Sequence, residues 1–345
     1  MQVDIKKLDN SEIEITGEIQ AGDFESFSQE ALKNISKDIK IDGFRPGNIP
    51  EKILIDKVGE GAVLEEMANL SLRKFYQKII EENNIKAIGK PEIVITKIAR
   101  NNPLGFKIKT AVMPDIILPD YKKIAKETME TPEEIKVEEK EIDNALEYLR
   151  KSRATKNEKG EMILPEIDDN FVKTLGKSEE GKNIFENISD LRKVIHENLM
   201  NEKKTKEKEK KRIKILDKII KEIKTEIPEV LIESEKNKLL NEAKFNIEQM
   251  GLEWNKYLEH LKKTEEEILK EMDNDAVKRV KYGLILNEIS TKEKINVSQQ
   301  ELETETDKMA EFYKKSGHNL DREKIKSYVY GILSNEKIFK FLESC

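Results

Sequence analysis

The chain has 345 residues, 38% of them charged and 37% hydrophobic, which predicts two or three packed domains with a large polar surface and excludes a disordered chain. The 63 basic and 69 acidic residues give a net charge of −6, which argues against a general nucleic-acid or DNA binder, so any RNA contact must be local. The single cysteine, Cys345, predicts a reduced protein. No apolar run reaches membrane-helix length and the start lacks a signal-peptide pattern, so we expect a cytoplasmic protein without a membrane partner.

The first part of the chain mixes strand and helix patterns. Hydrophobic residues at spacing two predict strands, and apolar stripes at spacing three and four predict helices. Together they predict an α+β domain over residues 1–115. The predicted elements are an antiparallel strand pair around Val3–Ile5 and Ile13–Ile15, helices over 23–37 and 63–83, and strands over 92–98 and 104–112.

Beyond this domain the patterns become helical. Residues 116–153 form a connecting segment with a charged amphipathic helix from Val137 to Arg153, and 154–164 read as a short polar linker. The helical patterns over residues 165–345 predict an all-α domain. Its longest helix, over 189–225, contains no Gly or Pro and would span roughly 55 Å, so we expect an elongated domain.

Three local signals mark helix boundaries in this all-α part. Thr264 with Glu267 and Ser298 with Glu301 fit capping boxes, and Asp321 predicts the start of the last helix. The apolar stripe of the helix that follows Pro228 comprises Leu239, Ala243 and Met250, and that of the last helix comprises Ile325, Tyr328, Ile332 and Ile338.

The octapeptide Gly43–Pro50 lies between two helical segments of the first domain. Its two glycines and two prolines predict a stiff turn that presents Phe44 and Arg45 outward. An aromatic beside an arginine is a typical anchor of a macromolecular interface, and arginine also binds phosphate with a planar fork. The alternative is an ordinary turn between two helices, in which Phe44 only covers a core.

The octapeptide resembles the ribosome-docking signature of the trigger factor family, Gly-Phe-Arg-x-Gly-x-x-Pro, and matches it at each defined position. Pro119–Tyr121 resembles that family's exit from its first domain, and Leu164–Phe171 resembles the start of its C-terminal domain. The resemblance covers nearly the full chain and implies a helical body with two arms around a cradle. The ribosome-binding residues it implies are Gly43, Phe44, Arg45, Pro46, Gly47, Asn48 and Pro50.

The same resemblance implies the partners. They are the large ribosomal subunit near the exit tunnel, through protein and rRNA, nascent and unfolded polypeptides, and a second copy when the protein is free. The family often carries a lysine where this chain has Asn48. Residues 37–52 hold four basic and three acidic side chains, so we expect weaker or more salt-sensitive docking that depends mainly on Phe44 and Arg45.

The family that the chain resembles usually carries an FKBP-type prolyl isomerase domain between its first and C-terminal domains. This chain has no room for such a domain. Only the 11 residues 154–164 separate Arg153 from Pro165, and a domain of about 100 residues cannot fit there. We therefore predict no catalytic residues and no enzyme activity. His196, His260 and His318 are too scattered for a metal site, and no Gly-rich phosphate loop is present, so no cofactor and no ATP use are expected.

Client binding leaves a diffuse signal, because a chaperone needs dispersed apolar surface. The candidates are Phe245, Trp254, Tyr257, Met309, Phe312 and Tyr313, for each of which ordinary core packing is the competing interpretation. The run Lys203–Lys214, with eight basic and two acidic residues, could touch RNA or acidic clients, but a solvated face of a long helix is the favoured interpretation.

The sequence thus predicts an ATP-independent, ribosome-associated chaperone. Four alternatives stay open: a prolyl isomerase with a cryptic pocket, a free cytosolic holdase, an extracytoplasmic chaperone with a related helical domain, and a purely structural helical adaptor.

Overall fold

The computed structural model of the chain describes residues 3–42, 44–156, 162–176, 184–315 and 321–345. It is 63% helical, with a small sheet in its N-terminal region and a helical C-terminal part, which confirms the predicted fold class. The chain forms two compact units. Unit 1 combines Met1–Ile117 with Ile223–Glu288, and unit 2 combines Leu118–Glu222 with Ile289–Cys345.

Four antiparallel strands form the N-terminal sheet in the order β1-β2-β4-β3. Ile5 pairs with Ile15, Ile15 with Ile108, and Ile108 with Ile93, so one row of isoleucines crosses all four strands. Cross-strand partners lie on the same face of a sheet, and Ile15 and Ile108 are fully buried, so this face is directed towards the core. The strands are β1 (Val3–Leu8), β2 (Glu12–Ile19), β3 (Ala87–Lys97) and β4 (Leu104–Val112).

Four helices of the N-terminal region pack with this sheet around one core that includes Phe24, Met67 and Phe106. The helix predicted over 23–37 is broken into two. The Ser26 hydroxyl donates to the Asp23 carbonyl at 2.6 Å, which competes with continued helix. Phe24, before the break, and Phe27, within it, are both buried. The helices are α1 (Ala21–Glu25), α2 (Ser28–Asp38), α3 (Glu51–Val58) and α4 (Glu60–Glu82).

The segment after the first domain begins unit 2. The predicted amphipathic helix is confirmed, because Ile142 and Leu146 are buried in a core with Phe171 and Leu191. A two-residue antiparallel ladder precedes Pro165. The elements are α5 (Tyr121–Met129), α6 (Glu139–Ser152), β5 (Thr155–Lys156), β6 (Met162–Ile163), α7 (Asp169–Lys173) and the long α8 (Ile188–Glu222).

Helices α9 (Glu229–Gln249), α10 (Trp254–Leu261), α11 (Glu265–Glu271) and α12 (Asp273–Glu293) follow. The capping box at Thr264 is confirmed at the start of α11. The predicted α9 stripe was wrong in part: Leu239 and Ala243 are half-buried beside the buried Leu240, but Met250 is 73% exposed. Gly251, with a φ of 78°, ends the helix there and leaves Met250 at an exposed turn.

Two contacts join the residues around α9 to the sheet within unit 1. The Asn10 backbone N–H donates to the Glu226 carboxylate at 2.6 Å, and the Ser11 hydroxyl donates to the Glu226 carbonyl at 2.9 Å. A Cβ at Gly89, whose φ is 72°, would lie 2.7 Å from Val230 Cγ2. Glycine at this position therefore permits the first turn of α9 to approach β3.

Unit 2 ends with α13 (Gln299–Lys315) and α14 (Arg322–Glu343). Asp321 caps α14 as predicted, and its side chain accepts the Glu323 backbone N–H at 3.1 Å. The predicted apolar stripe of α14 was wrong in part. Ile325 and Ile338 are buried, but Tyr328 and Ile332 are exposed, and Val329 and Leu342 complete the buried face instead.

The predicted solvated face of the basic run of α8 is confirmed in part. Lys203, Lys211 and Arg212 are half-buried, and the other five basic residues of the run are exposed: Lys204, Lys206, Lys208, Lys210 and Lys214. The Lys211 ammonium donates to the carbonyls of Met129 and Thr131 at 2.9 and 2.8 Å. Lys203 contacts Glu141 at 2.6 Å. These bonds link α6 and the segment before it to α8, so the half-buried part of the run is engaged within unit 2.

Candidate functional site

The candidate docking loop connects α2 to α3 and is held at its base by backbone hydrogen bonds. The Gly47 N–H donates to the Ser36 carbonyl at 2.7 Å, which ties the loop to the end of α2. The Phe44 N–H donates to the Ile41 carbonyl at 3.1 Å, and the Asn48 N–H to the Arg45 carbonyl at 3.0 Å. Gly43, the first residue of the motif, lies outside the described residues.

The far side of the loop is anchored in the core of the first domain. Ile49 is 9% exposed and belongs to that core, and Pro50 forms the N-cap of α3, where its carbonyl accepts the Leu54 N–H at 3.0 Å. The proline suits this place because it has no N–H to leave unpaired. Both ends of the turn are thus fixed by packing and hydrogen bonding.

The tip of the loop is exposed. Phe44 is 36% exposed, and Arg45, Pro46 and Asn48 are also exposed. Within the described part of the chain no carboxylate pairs with the Arg45 guanidinium. The tip therefore offers an apolar ring and an uncompensated, permanently charged fork, which can bind phosphate or a carboxylate.

Gly47 is a position where the loop requires glycine. Its φ of 86° lies in the left-handed region, while the space for a Cβ is open, with Lys37 Cγ at 3.8 Å. Gly47→Val should therefore cost about 1 to 2 kcal/mol through backbone strain alone and distort the tip. Thermal unfolding and hydrogen exchange of residues 41–50 would measure this. Gly22→Ala, where nothing lies within 4 Å and the residue is helical, is the control. It should leave the hydrogen exchange of residues 41–50 unchanged and raise stability slightly, because alanine favours helix over glycine.

The structure places the six predicted client-binding residues in two separate groups. Phe245, Trp254 and Tyr257 lie in unit 1, and Met309, Phe312 and Tyr313 lie on α13 in unit 2. Phe245 and Phe312 are 55% and 66% exposed, and the other four are partly buried.

Each group contains an aromatic pair. The rings of Trp254 and Tyr257 are 5.7 Å apart, and those of Phe312 and Tyr313 are 5.9 Å apart. Trp254 is held by a polar network, since its indole N–H donates to Glu265 at 2.9 Å and the Lys244 ammonium lies over its ring. The hydrogen bond from Lys244 lowers the pKa of Glu265, and the indole bond adds to this.

Sequence reasoning missed several exposed apolar residues near the first group. Met250, Leu252 and Leu261 flank the turn and the short helix beside Phe245, and all three are exposed. The signal that could have identified the first two is Gly251, because a helix end leaves its neighbours without a packing face.

The described ranges hold neither a metal-binding cluster nor a membrane-spanning helix. In those ranges no group of three or more His, Cys, Asp or Glu side chains could hold a metal ion; His318 is outside them. Of the helices that the structure describes, none is long and apolar enough to cross a membrane.

Comparisons with known proteins agree with this architecture. The family model for the bacterial trigger factor protein matches residues 1–149, and the model for the trigger factor C-terminus matches residues 187–342. The chain therefore belongs to the trigger factor family.

Individual relatives are distant in sequence. A trigger factor of Streptomyces coelicolor is 25% identical, with 88% of this chain and 80% of the relative covered. One of Caldicellulosiruptor saccharolyticus is 23% identical, with 94% and 90% covered. A solved structure from work on promiscuous substrate recognition in the folding and assembly activities of the trigger factor chaperone is similar in fold. It has a TM-score of 0.54 at 18% identity, over 100% of this chain and 99% of that one.

The two family matches leave only residues 150–186 between them. A domain of about 100 residues cannot be accommodated in that interval. The alignment with the Streptomyces coelicolor relative spans 389 positions although it covers only 88% of a 345-residue chain, so many of those positions face a gap in this chain. The domain layout thus shows no isomerase domain.

Proposed function

We propose that the protein is an ATP-independent, ribosome-associated chaperone that binds nascent chains at the exit tunnel in the cytoplasm. The observation that carries this proposal is the docking loop. Its base is bonded to α2 and its far side is anchored by Ile49, while Phe44 and Arg45 are exposed and the Arg45 guanidinium has no carboxylate partner among the described residues. A rigid loop loses little entropy when it binds, so most of its contact energy is retained as affinity.

Client binding is proposed at the two aromatic groups described above. Large aromatic and thioether side chains adapt to varied partners, and their dispersal in two units suits reversible binding of extended chains. The binding is non-covalent and has no catalytic step, because the interval between the two family matches leaves no place for an isomerase domain.

Co-sedimentation with bacterial 70S ribosomes tests the docking proposal. We expect wild-type protein to pellet with ribosomes, and Phe44→Ala/Arg45→Ala to lose at least about tenfold in affinity, since interface aromatic and arginine anchors each contribute about 1 to 2 kcal/mol or more. The affinity of the wild type should fall steeply with salt, because phosphate contacts release counterions.

A matched control changes an aromatic and a nearby cation elsewhere. Tyr148→Ala/Lys151→Ala on α6 removes an exposed aromatic and an exposed lysine, and it should pellet like the wild type. Equal pelleting of the loop variant and the wild type would show that the loop is only a turn, and the protein would then act as a free cytosolic holdase.

A further inference from the structure

Strand β3 forms an edge of the four-stranded sheet in the described part of the chain, since it pairs with β4 alone. Its regular stretch runs from Glu92 to Ile95 opposite Lys109 to Phe106. In an antiparallel pair, alternate residues direct their N–H and C=O groups away from the partner strand. The outer edge of this stretch therefore presents unpaired backbone donors and acceptors, which an extended polypeptide can pair with.

A groove of about 580 Å³ runs between this edge strand and α4. Ile93 and Ile95 line it from the strand, and Leu70 and Tyr76 line it from the helix. The Tyr76 hydroxyl is hydrogen-bonded to the Thr110 hydroxyl at 3.1 Å, which fixes α4 above the sheet. Ile93 is 42% exposed although it lies in this groove, so an apolar side chain of a ligand can cover it.

Two side chains of opposite charge line the groove from α4. Arg73 lines it and is exposed, and no ion pair engages it within the described ranges. Glu66, two turns earlier on α4, also lines the groove and accepts a hydrogen bond from Asn34 at 3.0 Å. An acidic side chain of a ligand is therefore favoured beside Arg73 and disfavoured beside Glu66.

The strand also limits how far a ligand can pair. A register shift between Ile88 and Glu92 places Gly89, Lys90 and Pro91 out of the regular ladder. Pro91 has no N–H to donate, so pairing along the edge should end there.

From these observations we propose that the groove between β3 and α4 binds an extended polypeptide segment by strand addition, with apolar residues at alternate positions and one acidic residue opposite Arg73. In strand addition, backbone hydrogen bonds supply affinity, and pockets for alternate side chains supply specificity. This inference rests on the proposed binding of unfolded chains and adds a site in the first domain, independent of the docking loop.

The test uses the full-length protein and a fluorescein-labelled ten-residue probe of alternating valine and serine with one central glutamate. Fluorescence anisotropy should detect binding, and hydrogen exchange should show new protection of backbone amides within residues 92–97. A probe N-methylated at alternate residues cannot complete the ladder and should bind at least about tenfold more weakly. Arg73→Glu should weaken the unmodified probe by a similar factor.

Two control variants make the result specific. Lys78→Glu changes a lysine on the same helix away from the groove and should leave probe affinity unchanged. Phe44→Ala/Arg45→Ala should also bind the probe normally, so a failure of ribosome docking is distinguishable from a failure of the groove. Circular dichroism of each variant verifies that it is folded.

Three outcomes would overturn the inference. They are no probe binding, equal binding of the N-methylated probe, and protection that falls on α9 and α10 rather than on β3. The last would still support client binding at the aromatic group of unit 1, while it removes the groove as the site.

Discussion

Arg212→Met should lower the free energy of unfolding of unit 2 by roughly 1 to 3 kcal/mol, because two partly buried carboxylates lose the guanidinium that they share. The loss is smaller than for an isolated buried pair, since Lys208 still contacts Glu343 at 3.0 Å and Lys340 lies 4.0 Å from Glu336. The Arg212 guanidinium donates to Glu336 through two nitrogens at 2.8 and 3.0 Å and to Glu343 at 2.6 Å. It also lies over the Phe339 ring at 4.9 Å, and only 14% of its side chain is exposed. Hydrogen-exchange mass spectrometry of α8 and α14 would measure this change in the free energy of unfolding.

Two companion variants separate the ion cluster from simple loss of packing. Arg212→Met/Glu336→Gln/Glu343→Gln also neutralises the two carboxylates and should recover part of the lost stability, because it removes the cost of holding these charges partly buried without the guanidinium. Lys206→Met removes an exposed lysine paired with Glu202 on the same helix and should have no measurable effect. A triple variant no more stable than Arg212→Met would contradict the electrostatic explanation.

The same cluster predicts how the stability of unit 2 depends on pH. Hydrogen bonding from Arg212 lowers the pKa of Glu336 below its ordinary value of 4.5. A carboxylate with a depressed pKa in the folded state stabilises the fold above its unfolded pKa, and this stabilisation is lost as the pH falls through the folded pKa. Wild-type unit 2 should therefore lose stability below about pH 4.5, and Arg212→Met should show a flatter profile there.

Phe106→Ala should destabilise the N-terminal domain by roughly 3 to 5 kcal/mol, because it removes a fully buried aromatic ring from the sheet. Phe106 is 0% exposed, lies on β4 and pairs with Gly17 on one side and Ile95 on the other. Hydrogen exchange of β2 and β4, together with urea unfolding followed by circular dichroism, would measure the loss.

The matched control is Phe245→Ala in the same unit, where the ring is 55% exposed and the expected change is within about 0.5 kcal/mol. The two variants should also differ in ribosome pelleting. Phe106→Ala should reduce ribosome pelleting by unfolding the domain in which Ile49 anchors the loop, while Phe245→Ala should leave pelleting intact. Equal stability of the two variants would contradict the assigned core.

Local features of the chain were predictable because their cause is local. The bounds of β4 are those predicted, since Leu104, Phe106 and Ile108 alternate with residues of the other face and a turn at Asn101–Pro103 precedes them. The capping box at Thr264 and the cap at Asp321 depend on residues within one helical turn. The docking-loop motif is likewise continuous in sequence, although its role at the ribosome stays a prediction.

Features that depend on distant residues were not predictable in the same way. The stripe of α14 included Tyr328 and Ile332, but periodicity shows only that residues share a face and not whether a partner covers that face. The charge run of α8 was predicted to be solvated, and five of its eight basic residues are exposed. The contacts of Lys203 and Lys211 were not predictable, because their partners Met129, Thr131 and Glu141 are far away in the chain.

The sequence by itself determined the family, the α+β and helical parts, the missing isomerase domain and the exposed Phe-Arg loop, because each depends on a continuous motif, a local period or a chain length. Only the tertiary structure decided that Ile223–Glu288 packs with the first domain, that Arg212 unites α8 with α14, and that β3 and α4 enclose a groove beside Arg73. These features arise from contacts between residues that are far apart in sequence, and short-range patterns of hydrophobicity and charge carry no information about such contacts.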